Sequence, residues 1–205
     1  MPTELKDLSG NQLDALREIG NIGAGNSATA LSQLINRRIN MNVPNVSIVP
    51  LEEVPELVGG PEALVVGVFL RAYGKAPCNI LFLMPKDAAF YLVDTMMGKK
   101  RGETVTLDFM DESALMEIGN ILSGAYLNAL FNFTQLALLP SIPALAMDMA
   151  GAILNVVLVQ LGQMGDHALV IETKFASEDD GIGGHFFLVP DPGSLETILT
   201  AVGVE

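Results

Sequence analysis

Two copies of one short polar pattern mark this 205-residue chain: Glu18-x-x-Asn21 and Glu117-x-x-Asn120. Each is preceded four places earlier by a small or acidic residue, Asp14 or Ser113, and followed by a proline, Pro44 or Pro143. A carboxylate beside a carboxamide offers a charge together with a group that donates and accepts hydrogen bonds at once. At about 100° per residue, Asp14, Glu18, Asn21 and Gly25 fall within about 60° of one another on a helix, with Leu16 and Ile19 on the far side. Ser113, Glu117, Asn120 and Gly124 form the same stripe, with Leu115 and Ile118 behind. One polar stripe is what any solvated helix shows. Two with identical spacing are different. Repetition of a core explains the isoleucines and leucines, but not the retention of a glutamate and an asparagine on the face that looks away from it.

The elements that must position these stripes are themselves duplicated. Glu-Ile-Gly-Asn-Ile occurs at 18–22 and again at 117–121, an offset of 99 residues. The same offset pairs Ser9 with Asp108, Leu16 with Leu115, Gly25 with Gly124 and Pro44 with Pro143. Further on, Phe82-Leu83-x-Pro85 returns as Phe187-Leu188-x-Pro190, so the second copy has gained residues in its loops. A period of about 100 residues with two copies predicts a duplicated unit with pseudo-two-fold symmetry, not a solenoid. The predicted helices lie near 10–36 and 109–134, opened by Ser9 with Gln12 and by Asp108. Strands are predicted at Asn45–Val49, Leu64–Ala72 and Asn79–Met84, then at Ala152–Gln160, Leu169–Phe175 and His185–Val189. Short helices near 86–97 and 193–202 close the halves, Gly59-Gly60-Pro61 and Ser177–Gly184 mark loops, and Lys99–Thr106 joins the repeats. The fold class is therefore α+β: an internally duplicated pseudo-two-fold unit, with a mainly antiparallel β-sheet and two long helices packed on it. One domain over 1–205, built of repeats at about 1–100 and 107–205, is expected to share one continuous sheet. Gly20, Gly23, Gly25, Gly119 and Gly124 each cost a helix about 1 kcal/mol relative to alanine. Close packing on the sheet and close approach of a partner's backbone both account for them.

Composition excludes several function classes. The chain carries 11 basic and 24 acidic side chains, a formal net charge of −13, and should repel nucleic acid and anionic membrane. A single cysteine, Cys78, permits no intrachain disulfide and fits a reducing cytoplasm; it is expected as a small buried hydrophobe. Mean hydropathy is +0.41, yet the uncharged run from Ile118 to Met147 holds Asn120, Asn128, Asn132, Gln135, Pro140 and Pro143. It reads as a buried helix and a proline-bounded turn, not a membrane span. The first residues carry no apolar core of a signal peptide. Gly20-Asn-Ile-Gly-Ala-Gly follows a helical pattern and lacks the Gly-Lys-Ser/Thr of a phosphate loop, so nucleotide binding is not expected. His167, His185, Asp179 and Asp180 lack matching metal ligands. The methionines read mainly as core filler, with Met147 and Met149 an adaptable contact surface if exposed.

The doubled pattern Asp14-x3-Glu18-x2-Asn21…Pro44 and Ser113-x3-Glu117-x2-Asn120…Pro143 resembles the active-site signature of the CheC family of chemotaxis phosphatases, over nearly the whole chain. The likeness is to the stand-alone type; nothing matches the added switch domain of the FliY type. The resemblance implies hydrolysis of the phospho-aspartate on CheY, a receiver that supplies its own Mg2+ and lysine, so that no cofactor of this chain's own is expected. Asn21 and Asn120 would then position the attacking water, as glutamine does in GTPases. Glu18 and Glu117 would pair with the receiver's lysine to set the helix in place, with proton transfer the lesser alternative. Asp14 and Ser113 would support the surface, and Pro44 and Pro143 would shape the turn behind the helix. CheD is a second partner implied by the resemblance, with Ala146–Leu154, and in it Asp148 and Met149, as the candidate interface. The competing reading is a non-catalytic chemotaxis adaptor that binds phosphorylated receiver, CheD or both.

Overall fold

Helix α1 (Gly10–Ile35) and helix α4 (Phe109–Thr134) begin where their capping residues place them. Ser9 N–H donates to Gln12 Oε1 at 2.8 Å, and Gln12 N–H to Ser9 Oγ at 3.4 Å. Asp108 Oδ1 accepts from the N–H groups of Met110 and Asp111 at 2.8 and 2.9 Å, and Asp111 Oδ2 accepts from Asp108 N–H at 3.2 Å. Both are reciprocal capping boxes, which satisfy amides that a helix start leaves without partners. The structure is a computed structural model and describes residues 8–35, 38, 40–161, 167–176 and 181–203.

After α1 come β1 (Asn40–Pro50), a 3-10 turn (Leu51–Glu53), α2 (Val54–Leu57), β2 (Leu64–Gly74), β3 (Cys78–Pro85) and α3 (Lys86–Met96). The second half follows α4 with β4 (Leu138–Pro140), β5 (Ala144–Met149), α5 (Ala150–Leu161), β6 (His167–Ala176), β7 (Gly181–Pro190) and α6 (Ser194–Val202). The strands form one antiparallel sheet in the order β1-β6-β7-β3-β2, with β4 and β5 sharing the edge beyond β2. The two halves meet at β3 and β7, where Leu81 pairs with Phe187 and Phe82 with Phe186. Each half also lends its first strand to the other: β1 pairs with β6, and β4 and β5 pair with β2. Arg71 on β2 adds a further tie, its guanidinium donating two hydrogen bonds to the Asp191 carboxylate. This exchange is why the sheet is continuous.

Strand alternation sends side chains to two opposite layers. Val66, Val68, Leu70, Ile80, Phe82, Leu169, Ile171 and Phe186 pack under α1, α3, α4 and α6. Val65, Leu81, Leu83, Val170 and Phe187 pack under α2 and α5. β3 lies between and is buried along nearly its whole length. The long helices also touch each other. Gly23 leaves room for the ring of Tyr126, which stacks on Phe186 with centroids 4.2 Å apart.

Three segments depart from the sequence expectation, one being residues 181–184, expected in the loop Ser177–Gly184 but forming the start of β7. Ala152–Gln160, expected as a strand, lies within helix α5. Its continuous apolar run carries no period, and such a run of this length suits a buried helix as well as a strand. Ile153 and Leu154 seat it on the second face of the sheet. The stretch after α4, expected as a proline-bounded turn, instead forms the edge strands β4 and β5. Proline is tolerated there because an edge strand has N–H groups that pair with nothing. Pro143 sits in the break between β4 and β5, and Pro44 lies in β1 at the register shift between Asn42 and Asn45. The side chain of Pro44 lies outside the described residues. Pro44 therefore lies within an edge strand and not in a turn, whereas Pro143 lies in the short break that separates β4 from β5. Asp179 and Asp180 also fall outside the described residues. Among the described residues, no helix is long and apolar enough to cross a membrane.

Candidate active site

The motif residues stand on the outer faces of α1 and α4. Leu16, Ile19, Leu115 and Ile118 are buried against the sheet, whereas Asp14, Glu18, Asn21, Glu117 and Asn120 are exposed and Ser113 is half-buried. Each helix thus presents its glutamate one turn before its asparagine, on the face turned away from the core. Among the described residues, the side chains of Glu18, Asn21, Glu117 and Asn120 make no hydrogen bond or ion pair, so all four are free to engage a visiting surface. The residues at the first motif position are held locally. Asp14 pairs with Arg17 at 3.1 Å, an exposed contact worth little by itself. Ser113 Oγ donates to the Phe109 carbonyl at 2.8 Å, within its own helix. Among the described residues, neither makes a hydrogen bond or ion pair to the glutamate or the asparagine of its motif.

The glycines divide into two kinds. A Cβ on Gly119 would press on Val68, and one on Gly23 would come within 2.6 Å of the Tyr126 ring. These two permit helix packing. A Cβ on Gly25 or Gly124 would meet nothing within 4 Å. Those two lie on the polar stripes, cost the helices stability, and leave a shallow open place beside each asparagine.

The other sequence candidates lie elsewhere. Asp148 and Met149 are exposed on β5, paired with Val65 and Leu64 at the sheet edge, and Asp148 Oδ1 accepts from Met149 N–H at 2.7 Å. Of the segment Ala146–Leu154, residues 146–149 are exposed, while Ala150, Ile153 and Leu154 are buried. Cys78 is fully buried, and burial pushes its thiol up to about 12, so it is no nucleophile at neutral pH. Motif spacing gave no sign of Phe109 and Met110, both exposed at the start of the second stripe. Setting them beside Gly10 and Asn11 of the first repeat is what reveals them.

Comparison with known proteins agrees with this arrangement. The CheC-like family pattern matches residues 12–48 and 110–146, one helix and its following strand from each half. Over 196 residues the chain is 40% identical to the CheY-P phosphatase CheC of Bacillus subtilis, covering 94% of each protein. The chain belongs to the CheC-like family. A second family relative, the flagellar motor switch phosphatase FliY of Bacillus subtilis, is 34% identical over 123 residues, 60% of this chain and 32% of that one. The crystal structure of Thermotoga maritima FliY has the same fold, with a TM-score of 0.78 at 21% identity, covering 96% of this chain and 98% of that one. Both family matches contain one complete polar motif, so the duplication seen in the sheet is also a duplication of that motif.

Proposed function

We propose that this CheC-like protein is a phosphatase for the phospho-aspartate of a CheY-type receiver, acting at two pseudo-symmetric sites. The observation that carries the reading is the duplicated, exposed and unengaged Glu-x-x-Asn pair on sister helices. An acyl phosphate is already labile, so the chief requirement is a water aligned with the phosphorus. Asn21 or Asn120 holds that water, its amide accepting from the water and donating to a phosphoryl oxygen. Water oxygen bonds to phosphorus, the bond to the aspartyl oxygen breaks, the carboxylate is restored, and both of the water's protons leave with the inorganic phosphate. Glu18 or Glu117 pairs with the receiver's active-site lysine and fixes the approach of the helix. The Mg2+ that neutralises the phosphoryl group belongs to the receiver. Asp14 and Ser113 support the helix surface from the first motif position.

The test is decay of a phosphorylated receiver with wild type, Asn21→Ala, Asn120→Ala and the double variant. The expected result is acceleration by wild type and loss on the order of 10²-fold in the double variant, comparable with removal of one preorganised polar group. A double variant as active as wild type refutes the assignment. The exposed edge at Asp148 and Met149 supports a separate role in binding CheD, checked by Asp148→Lys in a pull-down with purified CheD. Binding unchanged by that substitution removes the edge from consideration.

A further inference from the structure

The two stripes carry the same motif but not the same surroundings. On α4, Phe109 is 78% exposed, Met110 57% and Phe131 39%. Counting about 100° per residue from Glu117, Met110 falls near 20° and Phe131 near −40°, on the same face as Ser113, Gly124 and Asn120 at about −40°, −20° and −60°, with Phe109 at its margin near −80°. Along the axis Met110 lies about 10 Å before Glu117, and Phe131 about 16 Å beyond Asn120. The matching positions of α1 hold Gly10, Asn11 and Ser32. Scattered exposed apolar residues are ordinary. Three placed in line with a functional stripe are not, when the sister helix folds in the same way without them.

The first turn of α4 is also the more firmly built of the two. Asp111 is buried, accepts from Lys99 Nζ at 2.7 Å through Oδ1, and closes the capping box through Oδ2. Thr104 Oγ1 accepts from the same ammonium at 3.3 Å. Among the described residues, the first turn of α1 has a capping box but no such ion pair. Phe109 and Met110 are therefore displayed on a rigid platform, which lowers the ordering cost of burying them against a partner.

We propose that Phe109, Met110 and Phe131 form an apolar docking anchor that grips the receiver at the second site, and that the first site lacks it. This rests on the phosphatase reading above. The occupant is the phosphorylated receiver, because the anchor is continuous with the stripe that must touch its phospho-aspartate. The chemistry it demands is an apolar patch on the receiver beside the acceptor carboxylate. Aromatic and methionine side chains are enriched in the buried parts of protein interfaces. The anchor thus governs binding, and Asn120 governs turnover.

The experiment first measures the affinity of a receiver loaded with beryllium trifluoride, a stable phosphoryl mimic, by calorimetry. It then measures turnover with the sites isolated, in Asn21→Ala for the second and Asn120→Ala for the first. In Asn21→Ala, the pair Phe109→Ser and Met110→Ser should raise Kd and KM about 10-fold and leave kcat within about twofold. In Asn120→Ala, grafting Gly10→Phe and Asn11→Met should lower KM severalfold; a Cβ at Gly10 meets nothing within 4 Å, and Asn11 is already exposed. Val156→Ser, exposed on α5 at the opposite face of the sheet, should change neither. Unchanged Kd in the serine variants overturns the anchor, whether or not the protein turns over the receiver. A fall in kcat at constant KM overturns it in favour of a positioning role. Tight binding without hydrolysis, still weakened by the serine variants, leaves the anchor standing and refutes only the phosphatase reading.

Discussion

Gly119 and Gly124 share one helix, and the same substitution at the two should move stability in opposite directions. Alanine gains about 0.8–1.0 kcal/mol over glycine in a helix interior, because less backbone freedom is lost on folding. At Gly124 the new methyl meets nothing within 4 Å, so most of that gain should appear, and the same holds for Gly25. At Gly119 it would lie 3.0 Å from Val68 Cβ and closer still to one Val68 methyl. Val68 is fully buried and β-branched, with little freedom to turn aside. Overpacking of this kind costs about 1–3 kcal/mol, which leaves a net loss near 1 kcal/mol after the helix gain. For a chain of this size 1 kcal/mol moves Tm by about 2–4 °C. Gly124→Ala should melt a few degrees above wild type and Gly119→Ala a few degrees below, with urea midpoints shifting in the same directions at unchanged slope. If Gly124 stays small to admit the receiver's backbone, its alanine variant should also bind the receiver severalfold more weakly despite being more stable. Gly119→Ala as stable as wild type would refute the steric argument, and Gly124→Ala with unaltered affinity would refute the argument from close approach.

Other predictions follow from the capping, the linker and the thiol. Asp108→Ala should cost about 1 kcal/mol in urea titration, since it removes an acceptor shared by two amides; Ser9→Ala should cost less, its hydroxyl contact being 3.4 Å. Burial raises the Asp94 carboxyl, but hydrogen bonds from the Thr104 hydroxyl and N–H and from the amides of Gly102 and Glu103 outweigh it and hold the group below its ordinary 3.8. Its stabilisation is complete above that value and lost as pH falls through the lowered one, so the gap in urea midpoint between wild type and Asp94→Asn should close in acid. A gap that stays constant down to about pH 2 contradicts this. Lys99 is raised above 10.5, chiefly by its hydrogen bond to Asp111. Its contribution is complete below 10.5 and lost as pH rises through the raised value, so Lys99→Met should lose its stability deficit only in strong alkali. Cys78 should resist a thiol reagent at neutral pH until urea unfolds the chain; prompt labelling of the native protein would contradict its burial.

The sequence was most legible where one periodicity had a single meaning. Both long helices lie within a residue of their expected bounds because caps, polar stripe and apolar face all point to the same segment. It was least legible in the second half after Thr134. There the edge strands β4 and β5 show a broken alternation, since Leu139, Met147 and Met149 are exposed and one side faces no core. α5 had the opposite defect: it reads apolar on all sides, so its pattern could not separate strand from helix. The outward placement of the motif residues was legible through their repetition. That of Phe109 and Met110 was not, because an apolar pair beside a capping residue looks like core until the structure shows it facing out.

Strand exchange has a consequence for the two sites. Each motif is followed in sequence by a strand that pairs with the other half: the one after Asn21 is β1, held by β6, and the one after Asn120 is β4 with β5, held by β2. Neither helix can therefore lose its footing without disturbing a strand of the other repeat. The two Glu-x-x-Asn stripes are separable in space, because each lies on one helix. The exchanged strands join them, so the sheet beneath them should melt as one. Asn120→Ala, on the surface, should silence one site and leave the other intact, whereas Gly119→Ala, in the packed interface beside it, should lower the melting of both. Measured activity at the first site as temperature rises separates these cases. If Gly119→Ala inactivates the second site at temperatures where the first still works normally, the halves fold independently and the account of the exchanged sheet is wrong.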